Sequence, residues 1–120
     1  MTKEDFVKNI KTVVRDSSIN GTFDVLQNPP GIKPAQNLIE ISRWYNKLGD
    51  SDKQMLRRIV EFAIDGSIFD FFCVLDGVAA IEDTEEKGTL ELYFVTDYQR
   101  ELLNDDNTEF LHDLYRYETQ

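Results

Sequence analysis

The sequence predicts an α+β domain with helices packed on one face of a small antiparallel sheet, and three observations carry that expectation. Apolar residues recur at helical spacing through most of the first 75 positions, two-fold alternation appears in LELYFV, and Gly77 stands between the two patterns. At 120 residues the chain suits a single domain, 1–120, around one core.

The elements follow in order. Thr2 is a natural N-cap, and Phe6, Val7, Ile10, Val13 and Val14 form one stripe of a helix over about 3–15. SSING and NPPGIKP then break the periodicity and predict a long loop to Gln36, tethered by Phe23, Val25 and Leu26. A second helix should run from Pro34 to Leu48, with Leu38, Ile41, Trp44, Tyr45 and Leu48 on its inner face. Ser51 and Gln54 form a capping box ahead of Met55, Leu56, Ile59, Phe62 and Ala63, and Gly66 should end that third helix.

Ser67 to Leu75 supports two readings. Ser67, Asp70 and the following Gly77 suit a short helix buried nearly all round, Phe71 and Phe72 included, whereas Asp76-Gly77 also suits a hairpin turn between strands. Beyond it, Val78–Ile81 and Thr89–Val95 should pair across EDTEEKG, with a short third strand over Arg100–Leu103. A closing helix over about 107–117 should bury Phe110, Leu111, Leu114 and Tyr115.

An apolar content of 41% sets aside disorder, and a start of MTKEDFVKN with no long apolar stretch points to a cytosolic protein. The net charge of −10 is unevenly spread: residues 1–60 hold ten Lys or Arg against seven Asp or Glu, and residues 61–120 hold three against sixteen. Such a field disfavours nucleic acid and anionic membranes and favours a cationic partner, unless it serves solubility alone. Lys3, Lys8, Lys11 and Arg15 form one basic helix face, too small to reverse that expectation.

Catalytic chemistry finds little support. The one cysteine, Cys73, lies in the apolar run FDFFCVL and reads as packing, and the one histidine, His112, falls on the polar side of the last helix between Glu109 and Arg116. One Cys and one His make a poor zinc set, the ordered calcium loop is missing, and Gly21, Gly31 and Gly77 stand outside any phosphate-cradling motif. No cofactor or metal is therefore expected.

LDGVAAIED, LELYFV and LLNDDNTEFLHDLY together resemble a family of small uncharacterised bacterial proteins with a helical front half, an LDG turn, a sheet segment and a closing LHDLY-like helix. In size and acidity the chain also resembles the immunity proteins of bacterial toxin systems, including contact-dependent inhibition. The resemblance implies a non-enzymatic inhibitor that binds a cationic toxin domain. A regulatory or phage-encoded adaptor is the alternative, and a small hydrolase a more distant one. The acidic half supplies the expected docking residues: Asp83, Glu85 and Glu86 in the link, Glu91 on the outward strand face, and Asp105, Asp106, Glu109 and Asp113 about the closing helix. The oligomeric state is open at this stage.

Overall fold

The computed structural model describes residues 1–120. Helices take up 59% of the chain, joined by one small antiparallel sheet of two strands. The helices are α1 (Lys3–Ile10), α2 (Ser17–Gln27), α3 (Gln36–Asn46), α4 (Asp50–Leu75) and α5 (Leu111–Thr119); the strands are β1 (Tyr93–Val95) and β2 (Arg100–Leu102).

Thr2 caps α1 as its sequence requires, its hydroxyl accepting the Asp5 N–H at 3.0 Å. The expected loop from residue 16 does not follow. Lys11–Asp16 forms a π-helical segment that runs directly into α2. Ser, Asn and Gly are weak helix formers, but Ile19, Phe23 and Leu26 make a second buried stripe, and tertiary burial outweighs propensity here.

The π segment aligns the two stripes. A regular helix would set Val7 and Ile19 about 120° apart around the axis. The wider i→i+5 turns remove roughly 100° of that difference, so both stripes turn inward, Val7 to Phe72 and the α5 residues Leu111, Leu114 and Tyr115, Ile19 to the cluster that Leu56, Val60 and Ile64 of α4 cover. The same shift turns Val13 and Val14, expected in the core, out to solvent. Asn28-Pro29-Pro30 then ends the helix, and Gly31, at φ +91°, takes a left-handed turn that a side chain would disfavour.

Helix α3 buries Tyr45 as expected, its ring meeting Phe23 edge-on at 5.9 Å between centroids. Trp44 and Ile41, expected beside it, face solvent instead, Trp44 with 55% of its surface exposed. Helix α4 joins the two helices that Gly66 was expected to separate. An interior glycine costs about 1 kcal/mol, and a 26-residue helix anchored at both ends absorbs it. Gly49 takes the N-cap position in place of Ser51, with Asp50 and Asp52 in the first turn facing the positive end of the helix.

The expected inner face of this helix is partly reversed. Leu56, Val60 and Ile64 pack inward, whereas Met55, Ile59 and Phe62 point out. Residues 67–75 are helical, which removes the hairpin alternative, but they are not buried all round: Phe72 is 2% exposed and Phe71 60%. Gly77, at φ +77°, follows the helix end.

Val78–Ile81 does not pair with Thr89–Val95. It lacks the two-fold alternation that fixes a strand's register, and residues 78–92 contain no strand. The hairpin forms one step later, between β1 and β2, with Tyr93 opposite Leu102 and Val95 opposite Arg100. Thr96 closes its turn by accepting the N–H groups of Tyr98 and Gln99. Helix α5 starts at Leu111, four residues beyond the expected start, and buries Leu111, Leu114 and Tyr115.

The expected single core is two. Val7, Phe72, Leu111, Leu114 and Tyr115 form one, where α1, α5 and the end of α4 meet. Ile19, Phe23, Leu26 and Tyr45 form the other, between α2, α3 and the start of α4. Between them lies a polar waist: Arg15 Nε donates to Asp65 at 2.7 Å, and the Tyr115 hydroxyl donates to the same carboxylate at 2.7 Å. The radius of gyration is 18.3 Å, against about 14 Å for a compact chain of this length. No helix is long and apolar enough to cross a membrane.

Candidate protein-docking face

The irregular stretch from Asp76 to Phe110 is held by side chains that bond to main chain. Asn104 is the central clamp. Its amide nitrogen donates to the carbonyls of Leu75 at 2.6 Å and Leu90 at 2.8 Å, while its oxygen accepts the Leu92 N–H at 2.8 Å. Lys3, 8% exposed, reaches over from α1 and donates to the carbonyls of Asp105 at 2.6 Å and Glu109 at 3.0 Å. Its charge is met by the Asp105 carboxylate at 3.1 Å. A buried ammonium so fully bonded fixes the segment between strand and helix.

Asp76 supports α5 from outside that helix. Its carboxylate, 0% exposed, accepts the N–H groups of Leu111 at 3.2 Å and His112 at 2.9 Å, the donors that a helix start leaves free. His112 Nδ1 lies 2.7 Å from the same carboxylate and must donate, since a carboxylate can only accept. His112, expected on the polar side as a surface or helix-capping residue, is 12% exposed, and its ring bonds at the helix start the same carboxylate that accepts its own backbone N–H. His112 is tucked between Phe110, stacked on it, and Phe69, edge-on.

A His-Asp pair invites a catalytic reading, and the other ring nitrogen argues against one. Nε2 lies 3.5 Å from the Asp113 carboxylate, where a triad would place a nucleophile. Burial, then the nearby Asp70 and Asp76, push the Cys73 thiol above its ordinary range, so the reactive thiolate is scarce at neutral pH. No group of three or more His, Cys, Asp or Glu residues is placed to hold a metal ion.

The fold brings some of the expected docking residues together and separates others. Glu91, Asp105 and Asp106 share the rim of a hollow of about 260 Å³ between the end of α4 and the segment 104–107. Asp105 is partly committed internally. Burial opposes its charge, but the hydrogen bond and charge of Lys3, with the Asn107 N–H, hold its carboxyl below the usual range. Asp83, Glu85 and Glu86 are exposed on the adjoining 78–92 segment, where Glu82 braces the Gly88 N–H at 2.7 Å. Glu109 is exposed beside the Lys3 anchor, and Asp113 is half-buried beside His112, with no side in the hollow.

Sequence reasoning missed an apolar component of this face. Val78, Ile81 and Leu90, expected in the hairpin, stand exposed among the acids. For Val78 and Ile81 the missing alternation was the available signal; Leu90, in the alternating LELYFV, gave none. Lys3 and Asn104 left none, because a single buried Lys or Asn has no periodicity to betray it.

No protein-family description matches this chain, and neither does any curated protein or solved structure.

Proposed function

We propose that this chain is a small acidic protein-binding domain, of the immunity or inhibitor type, that neutralises a cationic toxin domain by stoichiometric binding. One observation carries the reading: exposed Val78, Ile81 and Leu90 line one hollow with Glu82 and Lys87, on a segment that also exposes Asp83, Glu85, Glu86 and Glu91, and Glu91 and Asp106 share the neighbouring hollow. Apolar contact at the centre supplies slow release, and a charged rim supplies fast, selective encounter. The clamps at Asn104 and Lys3 hold part of this surface in shape before binding, which lowers the ordering cost of association.

The test is a charge reversal that spares the fold. Glu85, Glu86, Glu91 and Asp106 are changed together to Lys, with Asp105 kept because it secures Lys3. Wild type and variant are used in parallel to capture partners from the native host. The expected outcome is a basic protein recovered one-to-one by the wild type, released by salt, and bound by the variant with association slowed about tenfold or more. Equal recovery and equal association rates would contradict the proposal.

A further inference from the structure

We infer that the outward face of α4 docks on a second copy of this chain, antiparallel, about a two-fold axis near Ile64. Met55, Ile59, Phe62 and Gly66 follow one another at spacings of four, three and four on the side of α4 away from both cores, a seam suited to another helix. Phe62 projects with 82% of its surface exposed. One turn on, Gly66 lies at an open hollow of about 230 Å³ that Phe62 itself borders together with Asp65, Phe69, Tyr115, Arg116 and Thr119, with nothing within 4 Å of where the Gly66 Cβ would be. A cavity of roughly 150 Å³ accepts benzene, so this one has room for a phenyl ring.

Knob and hole on the same helix are self-complementary. An antiparallel copy sets Phe62 against Gly66 of the partner subunit and Gly66 against Phe62 of the partner subunit, the reciprocal contact of a two-fold interface. Charge agrees with this direction. Residues 17–60, one end of the molecule, carry six Lys or Arg and four Asp or Glu; the rest of the chain, the other end, carries seven and nineteen. Antiparallel alignment lays the basic end along the acidic one.

Area supplies the third argument. The chain exposes 8677 Å², where a folded monomer of 14.0 kDa exposes about 6,700 Å². The excess, about 2,000 Å², follows from the elongated two-core shape, and the outward α4 face holds part of it through Met55, Ile59 and Phe62.

Sedimentation of the full chain, without any other protein, tests the inference separately from the docking of a cationic partner. The wild type should sediment as a dimer at micromolar concentration. Phe62→Asp removes the knob and Gly66→Leu fills the hole, both at exposed helix positions that leave the monomer fold intact by circular dichroism. Each should raise the dissociation constant about a hundredfold or more. A wild type that stays monomeric overturns the inference, as does a dimer that neither substitution weakens. A ladder of larger assemblies also overturns it, because a closed two-fold pair stops at two.

Discussion

At the end built from α2, α3 and the first half of α4, regular helices meet through rings and aliphatic side chains, with Ser42 bonding the Leu26 carbonyl at 2.7 Å as the one buried polar tie. At the other end, α1, α5 and the last turns of α4 enclose an apolar core, but the chain between α4 and α5 contributes only two three-residue strands. That end depends on Lys3, Asp76 and Asn104, each of which bonds main chain far away in sequence. The difference follows from backbone accounting. Helices satisfy their own N–H and C=O groups, whereas an irregular segment needs side chains to do it.

The largest expected effect separates two adjacent residues of the second end. Phe72→Ala should cost about 3–5 kcal/mol by chemical denaturation, as a large void in a core, while the exposed Phe71→Ala should cost about 0.5 kcal/mol or less. Equal costs would mean that α4 is rotated from the position described.

A smaller effect comes from the waist that joins the two cores. Burial, then its hydrogen bond to Asp65, holds the Tyr115 phenol above its ordinary pKa. The folded state thus favours the protonated form. Its contribution is whole below the unfolded value of about pH 10 and is lost as pH rises through the higher folded value. Tyr115→Phe should cost about 1–2 kcal/mol at neutral pH and flatten the fall in stability above about pH 10. An alkaline limb unchanged in the variant would assign that fall to other groups.

The helical face of the problem was largely legible in the sequence, and the accounting of the irregular part was not. Thr2 sits where its capping chemistry places it, and Tyr45, Leu111 and Leu114 where periodicity places them, whereas Phe71 and Phe72 both read as buried and only Phe72 is. Periodicity counts turns at a fixed angle, so it could not foresee the π segment that swings Val13 and Val14 outward and brings Ile19 and Phe23 in. Nor can it tell an inner stripe from an outer one. On α4, Met55, Leu56, Ile59, Phe62 and Ala63 read as core, but the covered stripe is Leu56-Val60-Ile64, and Met55, Ile59 and Phe62 lie outside it. The acids of the docking face were visible as composition. Which of them share a hollow, and that Asp105 is partly committed to Lys3, depended on contacts across 102 positions.

If the two ends are held separately, weakening one should leave the other closed. Hydrogen exchange mapped along the chain in wild type and Lys3→Met tests this most directly. The substitution strips the Asp105 and Glu109 carbonyls of their donor and leaves the Asp105 carboxylate without its cation. Exchange should quicken across 92–112 and at the start of α5 while the amides of α2 and α3 keep their wild-type rates, as expected for units that open independently. Acceleration of equal size in α2 and α3 would show one cooperative core and contradict the account.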